Sequence, residues 1–331
     1  MKAAYIKKYG HDPITLGERP APEVGPNDVL VKINAASVNP IDFKVRDGKL
    51  RAISPMQFPL ILGHDCAGEV VQVGNQVSKF KVGDSVFSRP RSGRIGTFAE
   101  FIAIDQSDVA KMPTTATFEE AASIPLVGLT SVQALQDVAQ LRPGQKVLIQ
   151  AGSGGVGSFA IQFAKHLGAE VWTTTSAKNL DFVKSLGADH IINYHKDKFE
   201  DVVSGMDVVF DTLGGEALDK AFSVVKPGGW VVSISGAPDY QTGEDMELGL
   251  GKRLLLGMVG LKTNIKAKMA GVQYRFIFMK ANGHQLAQIA KLMESRKIQP
   301  MVDKVFPLSE CQAALEYSES GRARGKIIVT P

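Results

Sequence analysis

The residues best suited to chemistry begin in the stretch KVLIQAGSGGVGSFAIQFAKHLG (146–168). Gly152, Gly154 and Gly157 stand at G-x-G-x-x-G spacing, with Ser153, Gly155 and Val156 between them. In such a set one glycine permits a tight turn, one lets the backbone approach a pyrophosphate, and one lets a helix pack close to its strand. A helix opening at this point presents unpaired N–H groups and the positive end of its dipole to phosphates. Glycines also cluster in ordinary turns, so the spacing alone carries little. Its context carries more. An apolar strand precedes the glycines, and Ala160, Phe163, Ala164 and Leu167 follow at helical spacing, with Gly168 as a C-cap. A dinucleotide is the expected ligand.

The second strand of such a unit decides which dinucleotide. An acid about 20 residues beyond the glycines would hold an NAD ribose. This chain has Trp172, Thr173, Thr174, Thr175 and Ser176 there, followed by Lys178. Hydroxyls and an ammonium suit a 2′-phosphate, which a carboxylate would repel. A solvated lysine at a helix start is the other reading of Lys178. The positive dipole end makes that an unfavourable place for a cation that binds nothing. The expected cofactor is therefore NADPH.

These groups need elements to position them. The 331 residues favour two domains. Apolar and charged fractions are ordinary for a globular enzyme, and a net charge of +4 without a dense Lys/Arg run gives no nucleic-acid signal. The longest apolar runs, such as RLLLGMVGL, are too short to span a bilayer, and MKAAYIKKYG has no apolar signal core. No membrane partner and no export are expected, and a reduced cytoplasmic setting is the default. Two cysteines, Cys66 and Cys311, exclude a disulfide framework and a thiolate-rich zinc cluster. The first third reads as short strands punctuated by turns: DVLVKINAASVN alternates Val29, Val31 and Ile33 with Lys32 and Asn34, and CAGEVVQVG, GDSVFS and TFAEFIAI follow. After about Ser123 strands alternate with helices, which implies a parallel sheet covered on both faces. YRFIFM is a candidate sixth strand. KRLLLGMVGLK reads as β-capable, either a buried strand or an exposed edge open to a second subunit.

Several pieces in order, NPID (39–42), GHDCAGEVVQVG (63–74), VGD (82–84), PLVGLTS (125–131), AGSGGVG (151–157), INY (192–194) and GRARGKIIV (321–329), resemble the medium-chain dehydrogenase/reductase superfamily along essentially the whole chain. The closer resemblance is to its zinc-free quinone oxidoreductase branch, which includes enone and alkenal reductases. It implies an α/β fold: a GroES-like β-rich catalytic domain from residues 1–124 and 281–331, and a Rossmann NADPH-binding domain, a doubly wound parallel sheet, from 125–280. It also implies a cleft between them for nicotinamide and substrate, and a homodimer. By the same resemblance Ser176 or Thr175, Lys178 and Tyr194 surround the 2′-phosphate, and Thr130 lies near the nicotinamide. On their own residues, Tyr194 is equally a strand-end aromatic and Thr130 a helix residue.

Zinc-dependent relatives carry a cysteine where Asn39 stands, then a histidine and an acid where His64 and Asp65 stand. Here the first ligand is absent, no convincing third ligand can be named, and no metal is expected. Cys66 reads as a small buried residue and His64 as a hydrogen-bonded side chain. Without a Lewis acid, hydride delivery to a quinone or an enone is the easier chemistry. It needs a donor for the developing enolate oxygen. Asn39 offers an amide, and Lys44 a cation that the enone-reducing relatives share. Lys44 reads equally as a solvated loop lysine paired with Asp42 or Asp47. Asp42 reads as orienting the loop, and Phe43 and Phe278 as pocket-lining or core residues. The expectation is a zinc-independent NADPH-dependent reductase of quinones or α,β-unsaturated carbonyls. The alternatives are a one-electron quinone reductase, an NADPH-binding sensor or structural protein with little turnover and, more weakly, a zinc alcohol dehydrogenase.

Overall fold

The structure, a computed structural model, describes residues 1–331. The chain opens with β1 (Lys2–Ile6), β2 (Thr15–Glu18), β3 (Asp28–Val38), α1 (Pro40–Arg46), β4 (Leu60–Ile61), β5 (Asp65–Val73), β6 (Ser85–Ser88), β7 (Phe101–Asp105), β8 (Val109–Lys111) and α2 (Phe118–Ala122). It continues with α3 (Pro125–Val132), β9 (Lys146–Ile149), α4 (Gly155–His166), β10 (Glu170–Thr175), α5 (Leu180–Ser185), β11 (His190–Asn193), α6 (Phe199–Val202), β12 (Met206–Asp211), α7 (Gly215–Val224), β13 (Val225–Ser233), α8 (Tyr240–Asp245), α9 (Leu250–Met269) and β14 (Gln273–Phe276). It closes with α10 (Gly283–Glu294), β15 (Val302–Pro307), α11 (Cys311–Glu319) and β16 (Lys326–Thr330). Two compact units result: Met1–Leu129 with Lys280–Pro331, and Thr130–Met279.

The first unit is built on β3. Its first half keeps the period-two pattern, with Val29, Val31 and Ile33 at most 3% exposed while Lys32 and Asn34 face solvent. Burying each such aliphatic contributes roughly 1.5–3 kcal/mol. Its second half, Ala35–Val38, is buried on both faces. β5 pairs antiparallel along β3, β7 along its start and β16 along its end, within the order β15-β16-β3-β5-β6-β8. A small sheet, β2-β1-β4, completes the unit. The NPIDFK segment, expected as a loop, is the helix α1. Pro40 supplies a preset φ at its first turn, and the Asp42 carboxylate accepts from the Asn39 backbone N–H at 2.7 Å.

The second unit is a six-stranded parallel sheet in the order β11-β10-β9-β12-β13-β14. That is the Rossmann order, and it reverses direction between β9 and β12. Val147, Leu148 and Ile149 of β9 are fully buried, as a central strand covered on both faces requires. β14 supplies the sixth strand. The KRLLLGMVGLK segment is not a strand: it lies within α9, a 20-residue helix. Leucine, methionine and lysine favour helix over strand. Leu256, Gly260 and Ala267 repeat on one helical face and are the residues it buries. Gly260 is required for the approach, because a Cβ there would lie 2.8 Å from Asp239 Cβ. No helix is long and apolar enough to cross a membrane.

Candidate functional site

The glycine turn leaves the C-terminal end of β9, at the edge of the crevice where the strand order reverses. Ala151 takes a left-handed φ of 51°, and its N–H donates to Thr174 Oγ1 at 3.0 Å. The Gly152 N–H donates to the Thr174 carbonyl at 2.9 Å. A Cβ on Gly152 would lie 2.1 Å from Thr173 Oγ1, and one on Gly157 would lie 2.3 Å from the Ala151 carbonyl oxygen. These two glycines are therefore consumed by packing of the turn and of α4. Gly154 is different. Its nearest neighbour would be 3.3 Å away, and it caps α4 with no side-chain cap bond. Ser153, Gly154, Gly155 and Val156 stay partly exposed. The first-turn N–H groups of α4, from Gly155, Val156 and Gly157, lack intrahelical acceptors by helix geometry. This is a cradle that fits a pyrophosphate.

Beside it, the end of β10 carries hydroxyls and an amide and no acid. Thr175 Oγ1 donates to Ser153 Oγ at 3.2 Å, and Asn179 Nδ2 donates to Ser153 Oγ at 3.1 Å and Ser176 Oγ at 3.4 Å. Asn179 Oδ1 is buried without a hydrogen-bond partner. Lys178 is exposed in the 3₁₀ turn Ala177–Asn179, and its ammonium makes no ion pair. Tyr194 is 57% exposed at the end of the neighbouring strand, its N–H bonded to the Thr175 carbonyl at 3.2 Å. Lys178 and Tyr194 are exposed, and Ser176 and Tyr194 each follow the last paired residues of β10 and β11, Thr175 and Asn193, a set whose chemistry suits a phosphate monoester. Thr130 is buried in α3, which passes into a π-helical segment over Gln133–Val138.

Asp211, not among the residues expected from sequence, organises the other lip of the crevice. It is buried at the end of β12, accepts from the N–H groups of Leu213 and Gly214 at 3.1 and 2.9 Å, and accepts from Ser233 Oγ at the end of β13. Burial pushes its carboxyl above the usual range. The signal was the glycine pair in DTLGG: Gly214 has φ 72°, and a Cβ there would lie 2.3 Å from the Ser235 carbonyl.

In the first unit, sheet register assembles a buried polar network around Asn39. Ile327 pairs with Val38 and Ser37 with Asp65, so Lys326 and Asp65 flank Asn39 from opposite strands. Asn39 is 1% exposed. Its Nδ2 donates to Asp65 at 2.9 Å and to the Ser37 carbonyl at 3.3 Å, and its Oδ1 accepts from Lys326 Nζ. Asp65 also accepts from Ser37 Oγ at 2.8 Å and from the Leu126 N–H at 2.9 Å. Lys326 Nζ donates to the Val38 carbonyl at 2.9 Å and stands 3.8 Å from Asp65. Burial pushes the Asp65 carboxyl up and the Lys326 ammonium down, and each partner's charge opposes those shifts. Asn39 therefore has no amide hydrogen left for a substrate oxygen, which corrects its assignment as a free donor. Asp42 is fully buried and bonded to His64 Nδ1, so it fixes α1 and is not an acid open to solvent. Arg89 is buried nearby, with Nε unpartnered.

Lys44 is the exception in this unit. It is half-buried on α1, and burial draws its ammonium below the usual lysine range. The acids expected to pair with it are taken: Asp42 by His64, and Asp47 by Arg46 at 2.8 Å, with His11 and Lys49 both at 3.5 Å. Phe43 packs on the core of the unit, while Phe278 meets Phe276 edge to face.

The donor set does not fit zinc. No group of three His, Cys, Asp or Glu is arranged to hold a metal. Cys66 lies in the apolar core with its thiol pushed up by burial, and a lysine ammonium already compensates Asp65.

Family models match two stretches of the chain. Residues 25–114 match the family described as Alcohol dehydrogenase GroES-like domain, and residues 186–329 that described as Zinc-binding dehydrogenase. The chain is 36% identical to 2-methylene-furan-3-one reductase of Solanum lycopersicum, over all of this chain and 79% of that one. The chain belongs to the quinone and enone reductase branch of the medium-chain dehydrogenase/reductase superfamily. It is also 35% identical to the chloroplastic NADPH-dependent alkenal/one oxidoreductase of Arabidopsis thaliana, over 94% of this chain and 74% of that one. The solved quinone oxidoreductase from Coxiella burnetii superposes with a TM-score of 0.84 at 32% identity, covering 100% of this chain and 99% of that one. The branch accordingly has a GroES-like unit and a Rossmann unit here, as the motifs imply.

Proposed function

We propose that the protein is an NADPH-dependent oxidoreductase that delivers hydride to a quinone, or to a C=C bond conjugated with a carbonyl, without zinc. The observation that carries this is the state of Asn39. Where zinc-dependent relatives hold their first ligand, this chain has an amide clamped between Asp65 and Lys326. The names of the relatives, an enone reductase, an alkenal/one oxidoreductase and a quinone oxidoreductase, support the same substrates. NADPH supplies the hydride when bound. The Gly154 backbone and the N–H groups of Gly155, Val156 and Gly157 hold the pyrophosphate. Ser176, Lys178 and Tyr194 hold the 2′-phosphate, and Thr175 and Asn179 keep Ser153 and Ser176 in place. Thr130 is assigned to the nicotinamide end by family position. Lys44 donates to the substrate oxygen as charge develops there, while Asn39 and Asp42 hold the helix that carries it.

The test is NADPH oxidation over enals, enones and quinones, with product identification and metal content measured on the same preparation. Saturated ketones or hydroquinones are expected, with far less than one zinc per chain. Semiquinone radicals, or cofactor binding without turnover on any of the panel, would overturn the reading. A cytoplasmic homodimer completes the proposal. Cell fractionation and light scattering read its two parts, against a relative whose name places it in the chloroplast.

Lys178→Ala is expected to raise the KM for NADPH about 10-fold and leave that for NADH unchanged, since one charge-assisted bond to the 2′-phosphate is lost. Equal changes for both cofactors would remove Lys178 from the site.

Lys44→Ala is expected to lower kcat/KM about 100-fold with NADPH affinity unchanged, the scale for one donor to a developing oxyanion. Burial lowers the pKa of Lys44, so the wild-type enzyme loses this proton below the ordinary lysine value of 10.5. Its kcat/KM falls as pH rises through that point. In Lys44→Arg the guanidinium stays charged and the basic limb moves out of range. A Lys44→Ala enzyme with wild-type rates and the same pH profile would eliminate this role.

A further inference from the structure

The helix α9 is built the wrong way round for a surface helix of a globular protein. Its small inner face, Leu256, Gly260 and Ala267, seats it on the unit. At 3.6 residues per turn, Leu254, Leu255, Met258, Leu261, Ile265 and Met269 fall within about 60° of the opposite direction. These six side chains are 48–84% exposed. A helix of this length, about 30 Å, therefore turns a continuous aliphatic stripe to the outside.

Its charges have one sign. The helix carries Lys252, Arg253, Lys262, Lys266 and Lys268 and no acid. Arg253 is paired with Glu244 at 3.7 Å and Lys266 with Asp219 at 2.6 Å. Lys252, Lys262 and Lys268 are exposed and make no ion pair. Lys262 lies within the stripe and Lys268 borders it, while Lys252, in the first turn, lies about 120° from its centre. An aliphatic face bordered by unpaired lysines is complementary to an anionic surface with an apolar interior.

We propose that α9 is an interfacial docking helix that lays its outward face on an anionic phospholipid bilayer. It lies in the headgroup plane and does not cross, in keeping with its length and charge. The proposal departs from the sequence-based expectation of no membrane partner. The same face is poorly made for a second copy of the chain. A two-fold contact matches a patch with itself, setting unpaired lysines against lysines with no acid on the helix to answer them. It is also poorly made for a specific protein partner, since the helix itself offers flexible aliphatics and no tryptophan, tyrosine or free arginine as an anchor, and the adjoining Tyr240 of α8 is only 37% exposed. The proposal does not depend on the reductase reading. A lipid-soluble quinone, if that is the substrate, would be met at the same surface.

The test is co-sedimentation of the full chain with vesicles of phosphatidylcholine alone and of phosphatidylcholine containing about a third phosphatidylserine. Binding is expected to the anionic vesicles only, and to weaken steeply with salt. Lys252→Ser/Lys262→Ser/Lys268→Ser is expected to lower the partition coefficient on the order of 100-fold, and Met258→Glu/Leu261→Glu to abolish binding. Both variants should keep wild-type circular dichroism and NADPH affinity. Three outcomes would overturn the proposal: no sedimentation with either vesicle, equal binding to both, or a concentration-dependent dimer that Met258→Glu/Leu261→Glu dissociates while vesicles bind nothing.

Discussion

Replacing Lys326 with methionine is expected to destabilise the first unit by about 3–5 kcal/mol, the scale for breaking a buried charge network from one side. The reason lies in what the ammonium leaves behind. Asp65 is fully buried, and its neighbours Ser37, Asn39 and Leu126 supply hydrogen bonds but no charge. Lys326 also satisfies Asn39 Oδ1 and the Val38 carbonyl at the turn into α1. Methionine keeps the apolar stem and loses all of this, so packing volume is not the cause. The double variant Lys326→Met/Asp65→Asn removes the stranded charge and should recover a large part of the loss. Hydrogen exchange across β3, β5 and β16 locates the effect. Unchanged protection there in the single variant would mean that the pair is solvated and energetically minor. Activity should fall with stability, because the same network fixes the start of the helix that carries Lys44.

This network marks the limit of what the chain discloses before it folds. The strands, the parallel sheet and the glycine turn are legible because each is local: Val29, Val31 and Ile33 alternate, and Gly152, Gly154 and Gly157 sit within six residues. The acid-free end of β10 is legible for the same reason. Lys326 is not. Its partners Asn39 and Asp65 lie more than 250 residues away in sequence, and only the pairing of Ile327 with Val38 brings them together. Asn39 was recognised as the residue at the ligand position, but its exhausted amide follows from that register. Asn179 and Asp211 are local but carry no distinct signal, because a short polar side chain at a strand or turn end has many ordinary uses. α9 reads as β-capable in sequence because a run such as KRLLLGMVGLK lacks the polar–apolar alternation that separates strand from helix, and its outward face is apolar against the usual rule.

Alanine at Gly154 and at Gly157 is expected to separate cofactor binding from stability. At Gly157 two effects compete. Alanine inside a helix is favoured over glycine by about 1 kcal/mol. Its Cβ would lie 2.3 Å from the Ala151 carbonyl oxygen and 2.7 Å from Gly152 Cα, and both are backbone atoms that cannot swing aside. Overpacking of this kind costs about 1–3 kcal/mol, so the clash wins and the turn must move. Gly157→Ala should therefore lose both stability and NADPH affinity. At Gly154 the nearest atom is 3.3 Å away and φ is −77°, which alanine adopts without strain. Losing a glycine cap for alanine costs at most about 1 kcal/mol, so the fold persists. On the proposed placement of the cofactor, the new methyl group would stand where the pyrophosphate meets the N–H groups of Gly155 and Val156. Two charge-assisted bonds lost there lower NADPH affinity on the order of 1,000-fold. Fluorescence titration with NADPH beside a denaturation curve for each variant measures both quantities. A stable Gly154→Ala protein that binds NADPH as the wild type does would show that the phosphates lie elsewhere, and the turn would then serve only to pack α4 on its sheet.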